Sequence, residues 1–136
     1  MAAIKAGQLG LKTACVEMRG RLGGTCLNVG CIPSKALLQS SHHYHDAQHH
    51  FSEHGIVVDG NISMDVGKMQ QAKAPTVESL TGGIEYLLKK HMVDYLVGKG
   101  SLSGPNQVQV GDTTLGTKHV TLATGSEVSP LPRTRR

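Results

Sequence analysis

Aromatic side chains are scarce in this 136-residue sequence, which contains no Trp, one Phe and three Tyr. Proteins that bind single-stranded nucleic acid use aromatic rings as stacking platforms beside a basic groove. The net charge here is only +4, and the Lys and Arg residues form no continuous stripe. We therefore expect no nucleic-acid partner.

Long hydrophobic runs are also lacking, since none reaches the ~18 apolar residues of a membrane-spanning helix. We expect no membrane association. Lys5 and Lys12 interrupt the start of the chain, so it has no apolar block of signal-peptide length. The Arg and Ser residues typical of a mitochondrial transit peptide are missing too, and no targeting segment is predicted. Three cysteines, an odd number, argue against a structural disulfide scaffold.

Glycine is abundant, with 17 residues in 136 against roughly 7% in an average protein. Because proline is not enriched with it, this excess predicts tight turns and close backbone approaches rather than disorder. The length is that of one domain. We predict a single domain over residues 1–129 and a disordered basic tail over residues 130–136.

Apolar patterning predicts helices that alternate with strands, which is typical of an α/β fold with a partly parallel sheet. We expect helices at residues 2–9, 26–51 and 64–91, and strands at 12–17, 56–58, 92–97, 107–110 and 118–123. Gly10 is a suitable stop for the first helix. Gly7 lies inside that helix, at a cost of ~1 kcal/mol relative to Ala. Pro75 lies inside the long helix and predicts a break or kink there.

Two cysteines five residues apart, Cys26 and Cys31, mark the segment most suited to chemistry. In a regular helix they would lie ~140° apart around the axis and ~7.5 Å apart along it. A disulfide requires Cα atoms ~4.4–6.8 Å apart, so a bridge needs a distorted helix, which Gly30 and Pro33 would allow. A constrained, reducible disulfide would be catalytic. Free buried thiols and half of a zinc site are the alternatives.

Gly23-Gly24-Thr25 precedes the first cysteine and predicts free backbone N–H groups at a helix N-terminus. Such a site favours a phosphate and lowers the pKa of a nearby thiol. Lys35 adds a positive charge one turn past Cys31, which would stabilise a thiolate or a reduced flavin anion.

Most of the histidines fall in one short stretch between His42 and His54. His45 and His49 have the i, i+4 spacing that can bind a metal on one helix face. No further ligand completes a site obviously, although Asp46 and Glu53 are near. We therefore interpret the stretch as an exposed, titratable helix face and assign no metal ligands, with metal binding as the alternative. Cys15 lies in a predicted strand and is interpreted as a small buried hydrophobe.

The segment Gly23–Lys35 resembles the active-site signature of the class I pyridine nucleotide–disulfide oxidoreductases, a highly specific pattern. Ala36-Leu37-Leu38 and residues 81–85 and 123–127 resemble the dihydrolipoyl dehydrogenases within that family. The resemblance extends over nearly the whole chain. It implies a partial Rossmann-like FAD-binding domain of three layers, with a parallel sheet and a small antiparallel element.

The resemblance also implies roles for individual residues. Cys26 would be the interchange thiol that attacks the substrate disulfide, and Cys31 the thiol that faces the flavin. Electrons would pass from dihydrolipoamide to this pair, then to FAD and NAD⁺. Other residues would contact FAD. Glu17 would bind its ribose and Gly100 its adenine, whereas the pyrophosphate and flavin would lie along Gly23, Gly24, Thr25 and Cys26, with Lys35 near the flavin. A turn that closes over FAD would consist of Thr124, Gly125 and Ser126.

By the same resemblance, the family's first strand and its G-x-G-x-x-G loop would precede Ala2, and its NAD⁺ and dimer-interface domains would follow Ser126. We therefore expect a catalytically incomplete chain. Implied partners are lipoamide-bearing proteins of 2-oxoacid dehydrogenase complexes and a second copy of the protein. The implied location is the mitochondrial matrix in a eukaryote and the cytoplasm in a bacterium. The alternative function is a non-catalytic truncated product, or a decoy partner of the intact enzyme complex.

Overall fold

A computed structural model describes residues 1–131, so most of the predicted basic tail lies outside the described residues. Within these residues, four α-helices, a 3₁₀ turn and five strands follow one another. In order they are α1 (Ala2–Gln8), β1 (Ala14–Glu17), α2 (Gly24–Asn28), α3 (Cys31–His49), the 3₁₀ turn (Phe51–His54), α4 (Val66–Lys90), β2 (Asp94–Val97), β3 (Gly100–Gly104), β4 (Gln107–Val110) and β5 (Thr113–Gly116).

The strands form two sheets of different kinds. β1 and β2 pair in parallel, with Cys15 opposite Tyr95 and Glu17 opposite Val97. The crossover between them contains α2, α3 and α4, as parallel pairing requires a long connection. β3, β4 and β5 form an antiparallel sheet in sequence order. The predicted α/β class, with a parallel sheet and a small antiparallel element, is confirmed.

α1 ends where its sequence predicts. Gly10 has a φ of +76°, and its N–H donates to the carbonyl oxygen of Gly7 at 2.9 Å. The N–H of Leu11 donates to the carbonyl of Ala6 at 3.1 Å, which completes a Schellman motif. The two bonds satisfy carbonyls that would otherwise lack donors, so Gly10 ends the helix.

The predicted interruption of the long helix is wrong, because α4 continues through Pro75. Pro75 removes the donor for the Gln71 carbonyl, but both residues are exposed, so water can replace the lost bond. Asp65 begins the helix, since its carboxylate accepts a hydrogen bond from the Lys68 N–H at 3.0 Å. No described helix is both long and apolar enough to span a membrane.

Three other sequence predictions need correction. The predicted helix over 26–51 is divided into α2 and α3, and residues 56–58 and 118–123 form no strand. Those two apolar segments match strand composition, but neither has a hydrogen-bonded neighbouring strand within residues 1–131. The sequence did not predict β3 and β5, which are rich in Gly, Ser and Thr and gain their stability from pairing with β4.

A small core joins the parallel sheet to the helices. Leu22, Leu88 and Val93 are its buried residues. Partly buried side chains from α1, β1, α4 and β2 pack against them: Ala3, Ile4, Cys15, Ile84 and Tyr95. The interpretation of Cys15 as an apolar packing residue agrees with this position.

Gly7 has a packing reason to lie inside α1. A Cβ atom built on Gly7 would be 2.6 Å from the carbonyl oxygen of His91 and 2.8 Å from Cγ2 of Val93. The helix therefore approaches the end of α4 more closely than any side chain would allow. Gly7 lowers the helix propensity of α1, but the contact with the end of α4 requires it.

We predict that Gly7→Ala destabilises the protein although Ala is the better helix former. Overpacking costs about 1–3 kcal/mol, which exceeds the gain in propensity of up to ~1 kcal/mol. The matched control is Gly82→Ala in α4, where a Cβ meets no atom within 4 Å, and which we expect to be neutral or stabilising. Urea unfolding of the three proteins measures the difference. Equal stabilisation by both substitutions would contradict the close approach.

Candidate active site

The first part of the site is the turn that leads into α2. Gly23 and Gly24 have φ values of +104° and +69°, and a Cβ atom on Gly23 would overlap the side chain of Leu27. Leu27 is buried and fixes α2 against the protein. The first N–H groups of a helix have no acceptor inside it, so those of Gly24, Thr25 and Cys26 are free for another partner.

A break at Val29 and Gly30 separates α2 from α3. The N–H of Val29 donates to the carbonyl of Thr25 at 3.0 Å and closes α2. A Cβ atom on Gly30 would lie 3.1 Å from the Thr25 carbonyl oxygen and 3.2 Å from Cα of Cys26. The absence of a side chain at Gly30 lets the start of α3 lie directly against the backbone of Cys26.

This close approach brings Cys26 and Cys31 together. Both are exposed free thiols. The neighbouring Cys31 thiol is the largest influence on Cys26, and it raises the pKa of Cys26 above the usual value. The positive charge of Lys35 and the backbone N–H of Cys31 act in the opposite direction and lower it.

The net direction differs from the expectation that the helix N-terminus would lower the pKa of the first thiol. The pKa of Cys26 is raised because the neighbouring thiol dominates. The expected direction holds for the contributions of the Cys31 backbone N–H and of Lys35, which both lower the pKa of Cys26.

Asn28 is a residue of this segment that the sequence reasoning missed. Its side-chain Nδ2 donates to the carbonyls of Leu22 at 3.0 Å and Gly24 at 2.9 Å, which ties both ends of the turn to α2. Its Oδ1 atom is buried without a hydrogen-bond partner among the described residues. The sequence signal for this role was the position of Asn28 between the two cysteines, because a polar side chain in such a turn needs a hydrogen-bond partner.

Two further predicted residues, Glu17 and Gly100, lie together at the end of β1. The N–H of Arg19 donates to Oε1 of Glu17 at 2.8 Å, and the Glu17 carbonyl accepts from the N–H of Gly98 at 3.0 Å. A Cβ atom on Gly100 would lie 3.3 Å from Cγ1 of Val16. The structure therefore places Gly100 next to the residue that precedes Glu17.

The predicted residues Thr124, Gly125 and Ser126 are exposed and lie outside any helix or strand. Gly125 has a φ of +80°, which is compatible with a turn. They belong to the irregular segment after β5.

We predict that Cys31→Ala lowers the pKa of Cys26. The substitution removes the thiol responsible for the largest upward effect and retains the residue-31 N–H that acts downward. Alkylation by iodoacetamide requires the thiolate, so its pH midpoint at Cys26, followed by mass spectrometry, should move to lower pH. Lys35→Ala should move the midpoint to higher pH, because it removes a downward effect. Movement of both midpoints in the same direction would contradict the assignment.

Comparisons with known proteins identify the family of this chain. The sequence model of the family described as "Pyridine nucleotide-disulphide oxidoreductase" matches residues 1–134. The dihydrolipoyl dehydrogenase of Trypanosoma brucei brucei is 54% identical over 97% of this chain and 29% of its own length. Dihydrolipoyl dehydrogenase 1, mitochondrial, of Arabidopsis thaliana is 55% identical over 97% of this chain and 27% of its own length. The leghemoglobin reductase of Vigna unguiculata is 53% identical over 97% of this chain and 26% of its own length.

A solved structure supports the fold. The Cu(II) complex of the HOCl-induced flavoprotein disulfide reductase RclA from Escherichia coli superposes with a TM-score of 0.71 at 24% identity, over 96% of this chain and 26% of that one. The chain spans 26–29% of the length of the three curated relatives. With the family match over residues 1–134, this chain belongs to the pyridine nucleotide–disulphide oxidoreductases.

Proposed function

We propose that this chain is the part of a flavin-dependent disulfide oxidoreductase, of the dihydrolipoyl dehydrogenase type, that contains the redox-active cysteines. The complete protein would transfer two electrons from dihydrolipoamide to NAD⁺. The observation that carries the proposal is the close approach of Gly30 to the Cys26 backbone across the break between α2 and α3, which places two exposed free thiols, Cys26 and Cys31, beside each other. The curated relatives named dihydrolipoyl dehydrogenase support this choice of substrate.

The chemistry assigned to the chain itself is dithiol–disulfide exchange. The oxidised form has a Cys26–Cys31 disulfide, and a thiolate of dihydrolipoamide attacks the Cys26 sulfur and releases Cys31 as a thiolate. The second thiolate of the substrate then attacks its own sulfur in the mixed disulfide and releases Cys26. Lipoamide leaves with one disulfide bond, and the two electrons remain on the reduced cysteine pair. The positive charge of Lys35 favours the thiolate at Cys26.

The residues present fit parts of FAD. Glu17 provides a carboxylate at the end of β1, where dinucleotide folds bind a ribose hydroxyl group. The free N–H groups at the start of α2 suit a phosphate or flavin oxygen, and a Cβ-free surface at Gly24 leaves room for close approach. The buried Oδ1 of Asn28 is a further unpaired acceptor beside them. When bound, FAD would accept the two electrons from the cysteine pair.

The partners and location follow from this proposal. Lipoamide-bearing proteins of 2-oxoacid dehydrogenase complexes would supply the substrate, and the complete protein would act as a homodimer. Plant and fission-yeast relatives are named as mitochondrial. These names support a location in the mitochondrial matrix for a eukaryotic source, and a bacterial protein would be cytoplasmic.

We predict that the oxidised chain converts one equivalent of dihydrolipoamide to lipoamide and gains two thiols. Thiol titration and the mass increase of the protein measure this exchange. Cys26→Ser and Cys31→Ser should each abolish it, because neither retains an intramolecular disulfide. Cys15→Ser is the matched control and should retain full stoichiometry. Loss of exchange with Cys15→Ser, or its retention in either other variant, would disprove the assigned pair.

We also predict that the chain binds FAD, and that Glu17→Gln weakens the affinity about tenfold or more. A tenfold loss of affinity corresponds to the lower end of the free energy of a hydrogen bond to a charged group, about 1.5–3 kcal/mol. Gln retains an acceptor for the Arg19 N–H, so the fold should be preserved. Quenching of FAD fluorescence during titration gives the affinity, with Glu78→Gln on the exposed side of α4 as the control. A folded wild-type chain that binds no FAD and exchanges no thiols would instead support the non-catalytic alternative.

A further inference from the structure

A cluster of ligand-type side chains lies at the opposite end of α3 from Cys31. His45, Asp46 and His50 each offer one nitrogen or oxygen atom, and these three atoms lie within 4.8 Å of one another. We call these three residues the α3 terminal cluster. The sequence reasoning interpreted this histidine stretch as an exposed, titratable face. In the structure, three possible metal-ligand atoms of that face lie close together.

The donors are already close to a shared position. Nδ1 of His45 is 3.9 Å from Oδ1 of Asp46, and the rings of His45 and His50 have centroids 5.4 Å apart. Two ligands of a tetrahedral ion at ~2.1 Å are roughly 3.4 Å apart. Small side-chain rotations are therefore sufficient to complete the site. His45 and His50 are exposed, so burial does not resist these rotations, and among the rings of the described residues that of His45 contacts only the exposed ring of His49 besides that of His50.

The electrostatic environment favours a cation at this place. α3 ends at His49, and the C-terminal end of a helix has partial negative charge. Glu53 adds a second carboxylate, with Oε1 at 3.5 Å from Nδ1 of His50. Asp46 and Glu53 together supply two negative charges around the histidine rings. The cluster is open to solvent, so the side chains stay partly hydrated when an ion binds and their desolvation costs little.

We propose that His45, Asp46 and His50 bind one divalent transition-metal ion, with water molecules in the remaining coordination positions. Two imidazoles and a carboxylate select zinc, nickel or copper over magnesium and calcium, which prefer oxygen ligands alone. The site is separate from the redox cysteines. It requires neither a flavin nor a substrate of the proposed oxidoreductase.

Calorimetric titration of the full chain with Ni²⁺ tests the proposal. We expect one site in the wild-type chain, and at least about tenfold weaker binding in His45→Ala and in His50→Ala, since even outer-shell ligands contribute 10–100-fold in metal sites. His43→Ala is the matched control on the same helix. Its ring contacts Gln39 instead of the cluster, and we expect less than a twofold change.

A second arm separates this site from metal binding by thiols. The variant Cys26→Ser/Cys31→Ser should bind Ni²⁺ as the wild-type chain does, and circular dichroism should show equal helix content in all variants. Loss of binding in that variant would assign the metal to the cysteines and overturn the proposal. Unchanged affinity in His50→Ala, or no binding by the wild-type chain at millimolar Ni²⁺, would overturn it as well.

Discussion

The contact between Gly30 and the backbone of Cys26 is the constraint on which the redox segment depends. In an uninterrupted helix the two cysteines would lie about 7.5 Å apart along the axis. The break replaces that separation with a backbone approach in which a Cβ on Gly30 would be 3.2 Å from the Cys26 Cα. With any larger residue at this position, the Cβ would press on main-chain atoms of Thr25 and Cys26, and the backbone would have to move by a few tenths of an ångström. The thiol pair therefore depends on a missing side chain.

This turn is anchored to the small core through one side of α2. Asn28 binds the carbonyl of Leu22, and Leu22 packs with Leu88 of α4 and with Val93. The cysteines are exposed, yet the backbone that positions them continues directly into buried residues. An exposed thiol pair on a fixed backbone suits the proposed exchange chemistry, which requires access for the substrate thiols and a constant distance between the two sulfurs.

The sequence predicted those elements whose signals are local. The stop at Gly10, the strand that contains Cys15 and the special segment around Cys26 follow from residue type and spacing. The errors arise where the conformation of a segment depends on residues that are distant in the sequence or on solvent. Residues 118–123 have strand composition but no neighbouring strand within the described chain, and Pro75 is accepted in α4 because its helix turn faces solvent. The direction of the Cys26 pKa could not be predicted either, since it depends on the Cys31 thiol, which lies beside Cys26 only after the chain has turned.

α3 links two chemically different ends. Its first turn begins at Cys31 beside the thiol of Cys26, where the helix dipole favours negative charge, and its last residues, from Asp46 to His49, lie where the dipole favours positive charge. At 1.5 Å per residue, the 14 positions from Cys31 to His45 correspond to about 21 Å along the helix. A metal ion bound at the α3 terminal cluster is thus too distant to be ligated by a cysteine. The same helix can stabilise a thiolate at one end and a cation at the other without competition between them.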